Sequence, residues 1–150
     1  MATPAERACI DRLTRSGIRP SAQRVAIARY VLATDEHPTA DRVWQRVQRE
    51  LPMVSRATVY NTLQLLAEKG LVRQLVLAEG STVFDANVEP HHHFVDDETG
   101  AIEDVPWSAI RVEGVERLPG LDVREHSVVV RGVRRPDTRQ SGARRRNPSR

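Results

Sequence analysis

Cysteine is almost missing from this chain of 150 residues: Cys9 stands alone, which excludes an internal disulfide framework and a closed four-cysteine zinc site within one chain. Any bound metal must therefore be held by histidine and carboxylate. Aromatic residues are scarce too, with two Phe, two Tyr and two Trp, so the cores are modest and a dimer that pools apolar surface is expected. No run approaches the roughly 18 consecutive apolar residues of a membrane span, and the opening MATPAERACIDRL lacks the apolar centre of a secretory signal. The expectation is a soluble, cytoplasmic protein with no membrane partner. No internal repeat is present, and low complexity is confined to the terminal SGARRRNPSR.

Charge is present in abundance and unevenly spread. Residues 1–85 hold 12 Lys and Arg against 9 Asp and Glu, residues 86–133 hold 4 against 10, and residues 134–150 hold 7 against 1. The basic head and tail can approach a polyanion, whereas phosphate repels the acidic middle. The Pro, Gly, Ser and Asn content of the tail reads as disorder.

Helical periodicity fills the first half. Residues 5–16 place Ala8, Cys9 and Leu13 on one face and stop at Gly17. Ser21 caps a second helix with Val25, Ala26, Ile27, Tyr30 and Val31, and Pro38-Thr39 opens a third with Val43, Trp44 and Val47, ending near Leu51. Ser55 caps the fourth, whose apolar positions are Ala57, Val59, Leu63, Leu66 and Ala67. After Gly70, LVRQLVL and TVFD flank a turn at Glu79-Gly80, a hairpin pattern. Helices followed by a two-stranded wing make a winged helix-turn-helix, in which the helix before the wing is presented to the DNA major groove. On that helix Arg56, Thr58, Tyr60 and Asn61 lie off the apolar stripe and are the candidate phosphate and base contacts.

Residues 86–90 read as a hinge, and 91–133 as a small module: strand HHHFVDD, turn ETG, strand AIEDV, a helix near 108–118 and a strand over 121–131. The fold class is thus α+β, with a winged-helix domain at 1–85, a small α/β dimerisation domain at 91–133 and a basic tail at 134–150. In a strand, His91 and His93 project to one face and His92 to the other. With His37, Asp85 at the end of the wing, and Asp104, which a hairpin returns beside the histidine strand, they supply three imidazoles and two carboxylates. That set suits Fe(II), Mn(II), Zn(II) or Co(II). A histidine triplet can also be a solvated strand edge, and His37 before Pro38 a plain turn residue. An enzyme with an open His/carboxylate iron site is the competing class, but more than half of the chain is given to a DNA-reading pattern.

The stretches RPSAQRVAI, EHPTADRVW, SRATVYNTL, VFDANVEPHHHF and IEDV together resemble the Fur superfamily of metal-dependent bacterial transcriptional regulators, over about residues 5–133. The resemblance implies a homodimeric repressor of a palindromic operator rather than an enzyme. Aspartate at 85 and 104 is similar to the peroxide-sensing branch, which implies an Fe(II) or Mn(II) site of His37, Asp85, His91, His93 and Asp104. It also implies oxidation of His37 or His91 by iron and peroxide, with Zn(II) a substitute in vitro. His92 and His126 match positions of an additional metal site in some members. The two CxxC pairs of most members fall on Asp96 to Thr99 and on the region of Arg134-Arg135-Pro136, so no structural zinc is expected. A haem-responsive branch shares HHHF and is the alternative, although its Cys-Pro dipeptide is replaced by Cys9-Ile10.

Overall fold

A computed structural model describes residues 1–77 and 80–135. Four helices come first: α1 (Pro4–Arg15), α2 (Ala22–Val31), α3 (Ala40–Val47) and α4 (Arg56–Glu68). Each begins at a hydroxyl cap, because a Ser or Thr oxygen satisfies a backbone N–H that the first helical turn leaves without a partner. Ser21 accepts from the N–H of Arg24 at 3.3 Å, Thr39 from Arg42 at 3.2 Å and Ser55 from Thr58 at 3.0 Å. Thr3 and Glu6 add a reciprocal capping box on α1. Gly17, at φ 74°, ends α1 in the left-handed conformation, where the N–H of Ile18 reaches the carbonyl of Leu13 at 2.9 Å.

Leu13, Ile18, Ile27, Val31, Val43, Val59, Leu63 and Leu66 close into one core, joined by Phe84 from the wing. Each such side chain contributes about 1.5–3 kcal/mol on full burial. The wing is the antiparallel pair β1 (Arg73–Val76) and β2 (Thr82–Asp85). Its expected tip at Glu79 and the tail from residue 136 lie outside the described residues. The helices differ from expectation in detail: α3 ends at Val47 rather than near Leu51, Ala8 and Ala57 are exposed, and Thr62 is buried.

Two compact units divide the chain, Met1–His91 and His92–Arg150. Strand β3 (His91–Asp96) is central in a three-stranded sheet, between β4 (Ile102–Pro106) and β5 (Val129–Gly132), with β5 parallel to it. The helix expected over 108–118 does not form. Two short 3-10 turns, Trp107–Ala109 and Val115–Arg117, stand there, separated by Gly114 at φ 84°, a conformation no α-helix contains. The strand expected over 121–131 shrinks to β5, since Val129–Gly132 are the residues in register with β3. Just before it, the N–H of Val128 goes to the His92 ring, at 3.1 Å, instead of to a ladder carbonyl. Among the described residues no helix is long and apolar enough to cross a membrane.

Candidate metal centre and nucleic-acid interface

The metal-ligand candidates of the first unit are assembled by backbone pairing. Val83 bridges to Thr39, and the N–H of Phe84 donates to the carbonyl of Pro38 at 2.9 Å. These contacts lay the loop before α3 along β2 and set His37 beside Asp85. His37 adopts φ 52°, a left-handed conformation that is uncommon outside glycine and recurs at functional sites, where it costs about 1–3 kcal/mol. Asp85 is fixed from its other side, where Oδ1 accepts the N–H of Asn87 at 2.8 Å. This is an Asx turn, and its signal in the sequence is Asp-Ala-Asn.

Both imidazoles are oriented by carbonyl oxygens. The Nδ1–H of His37 donates to Asp35 at 2.9 Å, and that of His91 to Glu89 at 2.6 Å. Because a carbonyl only accepts, a proton sits on each Nδ1, so a ring in its neutral form turns the Nε2 lone pair toward Asp85 Oδ2, at 3.3 Å for His37 and 2.8 Å for His91. Two lone pairs aimed at one carboxylate oxygen call for a cation, either a proton or a metal ion. Backbone carbonyls that fix the tautomer of histidines in this way are the usual outer shell of a metal site. All three residues are at most 5% exposed, so water screens the arrangement little.

In the second unit, His93 on β3 and Asp104 on β4 offer ligand atoms within 4.8 Å of one another. His93 is buried and Asp104 exposed. His92 behaves differently. Its Nδ1 accepts the N–H of Val128 and its Nε2–H donates to the carbonyl of Ile110, each at 3.1 Å, which leaves neither nitrogen to an ion in this arrangement. Trp107 stacks on the His92 ring at 4.6 Å between centroids and has the His126 ring at 4.9 Å. Of the pair anticipated as a second metal site, His92 thus bonds to backbone groups, and His126 stands beside the same indole.

Cys9 is buried on α1, and desolvation pushes its thiol above the ordinary value despite the opposing charges of Arg29 and Arg12. A protonated, buried thiol is a poor nucleophile and a poor metal ligand.

On α4, Tyr60 and Asn61 are exposed, and Thr58 spends its hydroxyl on the Ser55 hydroxyl at 2.9 Å. Arg56, expected as a phosphate or base contact, is exposed and already engaged. Its guanidinium pairs with Asp41 and lies 3.9 Å from the ring centroid of Trp44. Periodicity along α4 identifies which residues avoid the core but carries no information about neighbours on α3.

Residues 15–131 match the model of the ferric uptake regulator family. Over 128 residues the chain is 34% identical to the peroxide-responsive repressor PerR of Staphylococcus aureus, a match covering 83% of this chain and 85% of that one. The solved Campylobacter jejuni peroxide stress regulator is 27% identical, with 87% of this chain and 96% of that one covered and a TM-score of 0.62. The ferric uptake regulator of Pseudomonas aeruginosa, solved with manganese, shares the fold at 24% identity and a TM-score of 0.64, over 84% of this chain and 97% of that one.

Proposed function

The chain belongs to the ferric uptake regulator family, and from that premise we propose a cytoplasmic homodimeric repressor that binds a palindromic operator when loaded with Fe(II) or Mn(II) and is inactivated by peroxide. As a member of that family it is a DNA-binding transcription regulator and not an enzyme. The observation that carries the metal reading is the convergence of the His37 and His91 Nε2 atoms on Asp85 Oδ2, with both Nδ1–H groups held by carbonyls. His37, Asp85 and His91 would hold the ion together with His93 and Asp104. Three imidazoles and two carboxylates without thiolate fit a divalent ion of the first transition row, and Zn(II) would substitute.

An ion that needs all five ligands would act as a switch, because it would favour whichever arrangement of the chain satisfies them. Fe(II) would supply the reducing equivalent that turns peroxide into an oxidant of very short reach, chemistry that Mn(II) does not supply. The residues within that reach are the chain's own rings. Oxidation of His37 or His91 to 2-oxo-histidine alters the carbon between the two nitrogens, and so disturbs both the Nδ1–H bond to the carbonyl and the Nε2 lone pair. Aspartate at 85 and 104 and the likeness to peroxide-responsive relatives support this branch over a haem-responsive one, as does a buried Cys9 followed by Ile10.

Dimerisation is supported by the second unit's short supply of buried apolar residues. Val95 is its one buried hydrophobic among the described residues, while Trp107, Leu121, Val129, Val130 and Val133 are exposed, a surface that a second copy can cover. For DNA, Arg56, Thr58, Tyr60 and Asn61 of α4 are the proposed contacts.

The test is a Mn(II) titration of binding to a palindromic duplex selected in vitro with the Mn(II)-loaded protein. Wild type should bind only with metal and release on chelation. Asp104→Ala should lose metal-dependent operator binding while remaining folded and dimeric by size-exclusion chromatography. Operator binding that ignores metal, or an Asp104→Ala protein that titrates as wild type, would contradict the reading.

A further inference from the structure

Asp41 has no place in the machinery proposed so far, yet it stands at the edge of the α4 surface. It lies in the first turn of α3, where the helix dipole favours a carboxylate. Its side chain is 69% exposed and that of Arg56 is 59% exposed, so the pair faces solvent. The platform beneath Arg56 is rigid: the Trp44 indole N–H donates to the carbonyl of Val54 at 3.0 Å, just before α4 begins. Asp41 and Arg56 line a shallow concavity of about 330 Å³ together with Ala40, Ala57, Tyr60 and Asn61. The carboxylate and the guanidinium therefore share a wall with the proposed base-reading residues.

We propose that Asp41 is a specificity-determining positioning residue of the DNA interface: it holds Arg56 on Trp44 and withholds that cation from indiscriminate phosphate contact. The proposal rests on the reading that α4 is presented to DNA. An exposed ion pair is worth at most about 1 kcal/mol, so an operator that offers good contacts to Tyr60 and Asn61 can exchange it at little cost. Non-specific DNA offers only phosphate, and there the Asp41 anion competes with the phosphate for the same guanidinium and also repels it.

Asp41→Asn removes both effects while keeping the side-chain shape, and it leaves the α3 cap, which is Thr39, untouched. On a scrambled duplex of operator length, one additional phosphate contact steepens the logarithmic salt dependence by about 0.9 and raises affinity about 8-fold at 0.1 M salt. Operator affinity should rise less, so the ratio of specific to non-specific binding falls. Asp41→Glu should restore the wild-type salt dependence, and Arg56→Ala should abolish the increment in a double variant. Unchanged non-specific affinity and salt dependence in Asp41→Asn would overturn the proposal, as would an increment that persists without Arg56. If Arg56→Ala and Tyr60→Ala alone both bind DNA as wild type, the placement of α4 is wrong and the proposal falls with it.

Discussion

Replacing Asp85 by Asn separates ligand loss from structural damage, because the two effects have opposite signs. The amide keeps an oxygen for the N–H of Asn87, at 2.8 Å from Oδ1 in the wild type, and turns an NH₂ toward Nε2 of His91, 2.8 Å from Oδ2. The amide N–H then meets the Nε2 lone pair directly, without the proton or metal ion that a carboxylate needs at that place, so the metal-free variant should melt no lower than metal-free wild type. Metal binding should suffer heavily. Loss of an outer-shell partner already costs 10- to 100-fold in affinity, so loss of a charged ligand should cost at least about 100-fold. At a Mn(II) concentration about 100 times the wild-type Kd, the ion stabilises wild type by about 2.7 kcal/mol and the variant by about 0.4 kcal/mol. For a chain of this size the wild-type gain is a rise in Tm of about 5–11 °C, and the variant should lose most of it. Differential scanning fluorimetry with and without Mn(II) reads both quantities. A variant that keeps the full metal-induced shift would remove Asp85 from the site, and a metal-free variant that melts far below wild type would refute the lone-pair argument.

Tyr60→Ala should weaken operator binding by about 1–3 kcal/mol with little change in salt dependence, measured by fluorescence anisotropy at two salt concentrations; wild-type affinity would show that this face of α4 does not read DNA. His92→Phe preserves a ring against Trp107 but leaves the N–H of Val128 and the carbonyl of Ile110 without their present partner. Each loss costs about 1–3 kcal/mol in chemical denaturation, while the Mn(II) titration midpoint should stay in place. A large loss of metal affinity with unchanged stability would return His92 to the ligands.

Local signals in this sequence carry local structure. Ser21, Thr39 and Ser55 mark the helix starts because capping is a contact over three residues, and the wing follows from alternation on either side of a Gly-containing turn. The histidine strand likewise announces which rings share a face. The juxtaposition of His37 and Asp85 was legible only as residue types, since it arises from the Pro38 and Phe84 backbones meeting across the fold. The engagement of Arg56 with Asp41 and Trp44 is not legible in the sequence, because nothing near Arg56 points to either. The patterns of 108–118 and 121–131 read as a helix and a strand, but Gly114 and Gly120 both take positive φ, and pairing with β3 decides where β5 begins.

The most direct measurement of the central claim is peptide mass spectrometry of the full chain, loaded with Fe(II) or with Mn(II) and exposed to dilute hydrogen peroxide. The account predicts one added oxygen atom on a peptide containing His37 or His91 in the Fe(II) protein, loss of operator binding in step with it, and no such change in the Mn(II) protein. Cys9, buried and held as a thiol, should not compete for the oxidant. Release of the operator with both histidines unmodified, or oxidation confined to Cys9, would contradict the account.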